Sequence, residues 1–217
     1  EGPLPDVEDG QVKIEGLLRK EYDGVGAQPS SRLIREMRSF IRSDLTWAQR
    51  GFRPKYLEKW FQGLAVTTAL GPVVIRGRID RIDLNAEGAY VLYDYKTGTA
   101  PQISAMVAGK DVQIAAYLLA AQDILPQGQN VGAAYYVIRE RSRKGIFHEA
   151  YCKELGVTKG KNVLDEAGFA VQNEKFAEIL QDYAQRILEG EFPIEPASSR
   201  ICSFCAFQGI CRKEVGF

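Results

Sequence analysis

Apolar residues recur at helical spacing over Leu33, Ile34, Met37, Ile41 and Leu45, and this pattern predicts a helix from about Arg32 to Leu45. Ser30 or Ser31 supplies its N-cap. Upstream, the first ten residues hold Pro, Gly and acids and read as a linker, and Val12 to Arg19 reads as a short helix or a tether. Gly24 to Ser31 has loop composition. Downstream, Pro54 is expected to open a short helix containing Tyr56, Leu57, Glu58 and Phe61.

From Leu64 the period changes. Three β-rich runs follow, Leu64 to Leu70, Val73 to Leu84 and Tyr90 to Thr97, separated by Gly71-Pro72 and by Asn85-Ala86-Glu87-Gly88. Short connections make them an antiparallel meander. Val112 to Leu125, rich in Ala and Leu, predicts a strong helix. Val131 to Arg139 predicts another strand, with Ile146 to Cys152 as its hairpin partner. A long helix is expected from about Asn173 to Glu189, stopped by Gly190 and Pro193. This order of elements describes an α/β fold with a mixed central sheet flanked by helices.

The chain has 217 residues, enough for one substantial core, and its 45% hydrophobic and 26% charged content excludes disorder. No apolar run is long enough to cross a bilayer and no signal peptide is visible, so the expected location is cytoplasmic. The first residue is Glu1 rather than Met, which reads as a piece of something longer. The 28 basic and 28 acidic residues cancel, so the overall basic excess common in nucleic-acid binders is absent. Basic residues nevertheless crowd between Arg19 and Lys59, as a solvated helical face or a phosphate-binding one, and again at Arg139, Arg141, Arg143 and Lys144. Three of the four Cys lie near the C-terminus, which suits a metal site better than a disulfide framework.

Side chains alternate along a strand, so Asp94 and Lys96 project to one side while Val91, Tyr93, Tyr95 and Thr97 take the other. Two charges on so apolar a strand are costly unless paired or engaged with a ligand. In the preceding strand Val73, Ile75 and Ile79 share one face, and Arg76, Arg78 and Asp80 the other. The turn near Gly88 can bring Asp80 beside Asp94. Adjacent carboxylates repel unless a cation lies between them, and hard oxygen donors suit Mg²⁺ or Mn²⁺. Lys96 would stand at the rim, placed to orient water or to balance charge developing on a phosphate. The alternative is a plain ion pair, Asp94 with Lys96 or Asp80 with Arg78.

Gly77-Arg78-Ile79-Asp80-Arg81-Ile82-Asp83, then Asp94-Tyr95-Lys96-Thr97-Gly98, then Gln113-Ile114-Ala115-Ala116-Tyr117, together resemble the RecB/AddB-type branch of the PD-(D/E)XK nucleases. The resemblance implies a restriction-endonuclease-like core and hydrolysis of DNA phosphodiesters by an exonuclease domain. It also implies attachment to a helicase and work in double-strand-break repair. By the same resemblance Asp80, Asp94 and the main-chain carbonyl of Tyr95 would ligate the ion, and Lys96 would be the catalytic lysine. Gln113 and Tyr117 match a Gln-x-x-x-Tyr motif, and at i and i+4 they share a helix face. Glu58 resembles a family acid preceding the first core strand. Cys202, Cys205 and Cys211 resemble the thiolates that hold a [4Fe–4S] cluster in many members, a ligand set that suits Zn²⁺ equally well.

Two features depart from that pattern. A metal-binding His is usual on the first core helix, whereas His148 lies after the sheet and reads as an ordinary surface or strand residue. The fourth, distant Cys has no counterpart, since Cys152 falls elsewhere and reads as a core thiol. These readings divide the chain into an N-terminal linker and helical region (1–55), a nuclease core (56–195) and a cysteine segment (196–217). A nuclease-like module that binds DNA with little activity stands as the alternative to an active enzyme.

Overall fold

The computed structural model describes residues 7–23, 28–196 and 199–211. Two helices lead, α1 (Val7–Asp23) and α2 (Ser31–Ala48), followed by β1 (Arg53–Thr68), β2 (Gly71–Leu84) and β3 (Ala89–Lys96). Next come α3 (Ile103–Val107), α4 (Gln113–Ile124), β4 (Gln129–Val137) and β5 (Ser142–His148). A 3-10 turn (Glu149–Tyr151), α5 (Cys152–Leu155), β6 (Val163–Leu164), α6 (Glu166–Glu189) and α7 (Ser199–Cys202) complete the order. The strands form one sheet in the order β1-β2-β3-β4-β5-β6. It is a mixed sheet with helices on both faces, as the sequence predicts.

The meander is present: β1 pairs antiparallel with β2, and β2 with β3. β3 then pairs parallel with β4, and a parallel pair needs a crossover, which α4 provides. β3 reads as a nearly continuous apolar run because both of its faces are covered. On one face lie Ile114, Ala115, Leu118 and Ala121 of α4 and Phe169, Phe176, Leu180 and Ala184 of α6, against Ile82, Leu92, Ala133 and Tyr135 of the strands. On the other lie Phe40 and Trp47 of α2 with Leu155 of α5, against Val91, Tyr93, Ala134 and Tyr136. α1 packs on α2 at Gly10, where a Cβ would fall 2.8 Å from Cδ1 of Leu45.

Several boundaries differ from expectation. Pro54 opens no helix; residues 53–68 are one long strand, because Phe61, Leu64 and Val66 must reach the core across a hairpin with β2. The partner of β4 is Ser142–His148 rather than 146–152, since Gly145 lies opposite Ala134 and the chain turns into α5 after His148. α6 begins seven residues early, at Glu166, where the Asp165 carboxylate accepts from the Gly168 N–H. The N-terminal stretch read as linker is helical from Val7 onward. Ser30 caps α2 as expected, accepting from the Leu33 N–H.

Beneath α2 lies a buried cation. The Arg81 guanidinium is gripped at both ends: Nε and Nη2 donate to the Asp83 carboxylate at 2.5 and 2.7 Å, and Nη1 donates to Asp44 Oδ1 at 2.7 Å. Nη1 also donates to the Tyr95 hydroxyl at 3.1 Å, and the Tyr136 hydroxyl donates to Asp44 at 3.2 Å. Beside it, Arg143 donates to the Tyr93 hydroxyl and stacks 3.9 Å from the Trp47 ring centre. This network pins α2 to β2, β3 and β4.

Arg81→Met is expected to cost about 3–5 kcal/mol in urea unfolding, because it strands Asp83 in the interior, whereas Arg81→Met with Asp83→Leu recovers most of that loss. Gly145→Ala is expected to lower the unfolding midpoint, since its Cβ would lie 2.0 Å from the Ala133 carbonyl oxygen; the cost is about 1–3 kcal/mol.

Candidate active site

The site begins where two strands part. The β2–β3 ladder runs from Leu84↔Tyr90 to Arg81↔Tyr93 and stops, while β3 stays paired with β4 as far as Lys96↔Val137. Alternation in β2 breaks at the same place: Ile79 and Ile82 face one core although three residues apart, so Asp80 leaves the face of Arg76 and Arg78. Opposite Asp80, Glu58 of β1 holds φ at 52°, a left-handed conformation unusual outside glycine. The Asp80 carboxylate fills the fork and accepts the Tyr95 N–H at 2.9 Å, a donor that β2 would otherwise have taken. In an extended strand one residue directs its N–H and C=O to the same neighbour, so the Tyr95 carbonyl also faces the fork.

Asp94 lies on the α4 face and is 2% exposed. Gln113, the first residue of α4, ties the site together. Its Nε2 donates to Asp94 Oδ1 at 2.5 Å and to the Tyr117 hydroxyl at 3.0 Å, and its Oε1 accepts from Lys96 Nζ at 3.0 Å. Lys96 Nζ also stands 2.7 Å from the buried Asp94 Oδ2 and pairs with it. The Lys96 side chain crosses the Tyr135 ring and is 27% exposed, so it meets solvent.

Burial pushes the Asp94 carboxyl up; Lys96 pulls it back, and the charges of Asp80 and Asp111 push it further. The Tyr117 hydroxyl is pushed up to about 12 by burial, with Asp80 and Asp94 adding to the rise against the opposing Gln113 bond. The charge of Asp80 thus works against ionisation of the buried Asp94 carboxylate. Hard oxygens in this state fit a divalent cation such as Mg²⁺ or Mn²⁺, held by Asp80, Asp94 and the Tyr95 carbonyl. Among the described residues no three His, Cys, Asp or Glu side chains gather to hold an ion, so the remaining ligands would be main chain, water or substrate.

The fold therefore brings together Asp80, Asp94, Tyr95, Lys96, Gln113 and Tyr117. Glu58 does not join them; its carboxylate pairs with Arg78 at 2.7 Å. Cys205 and Cys211 are exposed and Cys202 half-buried, and among the described residues they form no group of three with metal-holding geometry. His148 ends β5, a strand residue as one of the two readings has it, buried and 2.9 Å from Glu166, and Cys152 is a core thiol as expected.

Two contributors escaped sequence reasoning. Asp111 accepts the Gln113 N–H at 3.1 Å and so sets the start of α4, a role that the Asp-x-Gln spacing at a helix start could have signalled. Arg81 holds the Tyr95 hydroxyl while Asp80 holds the Tyr95 N–H, so the residue between Asp94 and Lys96 is anchored from both faces of the sheet. Arg81 and Asp83, two apart on a buried strand, carried that signal.

A comparison with curated proteins finds no match. The family comparison matches the PD-(D/E)XK nuclease superfamily over residues 8–212, nearly the whole chain. Forked strands bearing Asp80 and the Asp94-Tyr95-Lys96 triplet, on a mixed sheet of restriction-endonuclease-like form, agree with that match: the chain belongs to the PD-(D/E)XK nuclease superfamily.

Proposed function

We propose that this chain is a Mg²⁺- or Mn²⁺-dependent deoxyribonuclease, an exonuclease domain of RecB/AddB type that works with a helicase partner in double-strand-break repair. Nucleases of the superfamily generally use these ions. The observation that carries the reading is the Asp94 carboxylate, buried on the α4 face, with Lys96 Nζ 2.7 Å from its Oδ2 and the charge of Asp80 pushing its pKa up. When bound, a divalent ion supplies positive charge that polarises the scissile phosphate and acidifies water. Lys96, steadied by Gln113, would then orient the attacking water or donate to the phosphate oxygens as their charge grows. Gln113, itself tied to Tyr117, holds the Asp94 carboxylate in one rotamer, so little reorganisation accompanies the reaction.

A second reading, a DNA-binding module with little activity, draws support from the side chains themselves, since among the described residues no third acid joins Asp80 and Asp94 as a metal-holding group. Calorimetric titration with Mn²⁺ separates the readings. The nuclease is expected to bind Mn²⁺, and Asp94→Asn to abolish the heat; absence of binding by the unaltered chain would favour the module. In cleavage of labelled DNA with Mn²⁺, Lys96→Ala is expected to lower the rate about 100-fold or more. Equal rates for Lys96→Ala and the unaltered chain would remove Lys96 from the chemistry.

A further inference from the structure

The outward face of the β1–β2 ribbon presents aromatic, apolar and basic side chains beside the catalytic fork. Trp60 is 62% exposed, and Leu57 and Val74 are exposed nearby. Trp60 lies opposite Arg78 in register, with the guanidinium 5.5 Å from its ring centre. Arg76 follows on the same exposed face and forms no ion pair among the described residues. The Arg78 guanidinium rests against the indole and leaves much of the ring open for a further stacking partner.

Charge favours one kind of occupant. Setting aside the buried Arg81 and Asp83, β1 and β2 carry Arg53, Lys55, Lys59, Arg76 and Arg78 against Glu58 and the site residue Asp80. The chain as a whole is neutral, so this excess is local. Arg32 and Arg38 of α2 pair with Glu36 and Glu15, and on the ribbon Arg78 pairs with Glu58, so Arg76 is the ribbon cation that offers its charge most directly. The ribbon leads along the chain to the chemistry: Asp80 follows Arg78 by two residues, about 7 Å, with the change of face at Ile79 between them. An aromatic platform flanked by cations is the chemistry that holds unpaired bases and their phosphates, whereas stacked duplex bases offer no free faces to it.

We propose that this ribbon binds single-stranded DNA, with Trp60, backed by Arg78, stacking on a base and Arg76 holding a phosphate, so that the strand is led towards the fork at Asp80. This rests on the nuclease reading for its substrate, and its test is independent of cleavage. In EDTA, binding of a dodecamer of thymidine is followed by tryptophan emission and by anisotropy of a labelled strand. The strand is expected to quench emission, and Trp60→Leu to abolish most of that quench and weaken binding about fivefold or more. Trp60→Phe retains a stacking face and should restore most of the affinity, while Arg76→Ala should lower the salt dependence of binding by about one phosphate contact. Equal affinity for a duplex of the same length, or an unchanged affinity in Trp60→Leu, would overturn the proposal even if the chain cleaves DNA. Trp60-dependent binding by a chain that never cleaves would uphold it and refute the nuclease reading alone.

Discussion

A positive charge sealed inside the protein organises both faces of the sheet. Burial by itself would lower the Arg81 pKa, but Asp83 and Asp44 outweigh that effect and hold the guanidinium charged. Burial likewise pushes the Asp83 carboxyl up against the pull of Arg81. Such a pair adds little net stability over an apolar one, yet losing either half leaves an uncompensated charge in a dry environment. Its value is therefore geometric. One guanidinium satisfies acceptors on α2, β2 and β3 together, so α2 has a single seat on the sheet.

That seat bears on the chemistry through Tyr95. Its ring packs on Tyr136 and Phe40 on the α2 side, while its backbone forms the wall of the fork. Asp94 and Lys96, its neighbours on the strand, point to the α4 side, where Gln113 joins them. The sheet thus separates a structural cation from a reactive acid pair by the thickness of one strand. Each charged group meets its own partners and neither cluster disturbs the other.

Much of this was legible in the residues. The alternation through Tyr90 to Lys96 placed Asp94 and Lys96 on one face and Val91, Tyr93 and Tyr95 on the other, and the structure agrees. The Gln113–Tyr117 spacing placed both on one side of α4, where they are joined by a hydrogen bond. Misreadings arose where tertiary packing outweighs local preference. Residues 54–61 carry a helix-starting Pro, but the requirement to pair with β2 makes them strand. Simple alternation also failed at Asp80, because the left-handed Glu58 and the face change between Ile79 and Ile82 are properties of paired strands and are invisible in either strand alone. The parallel pairing of β3 with β4 likewise follows from the path of α4 and not from either strand's composition.

The contacts that build the fork span short stretches of chain: Asp80 to Tyr95, Lys96 to Gln113 and Asp94 to Gln113 lie 15, 17 and 19 residues apart. Closing loops of that size carries a modest entropic cost, and lengthening a loop elsewhere adds little. The reactive machinery is therefore a near-contiguous cassette running from β2 through α4. The hairpin tip at Ala69 and Leu70 lies outside it, so additional sequence inserted there would extend the ribbon while the cassette kept its own short-range connections.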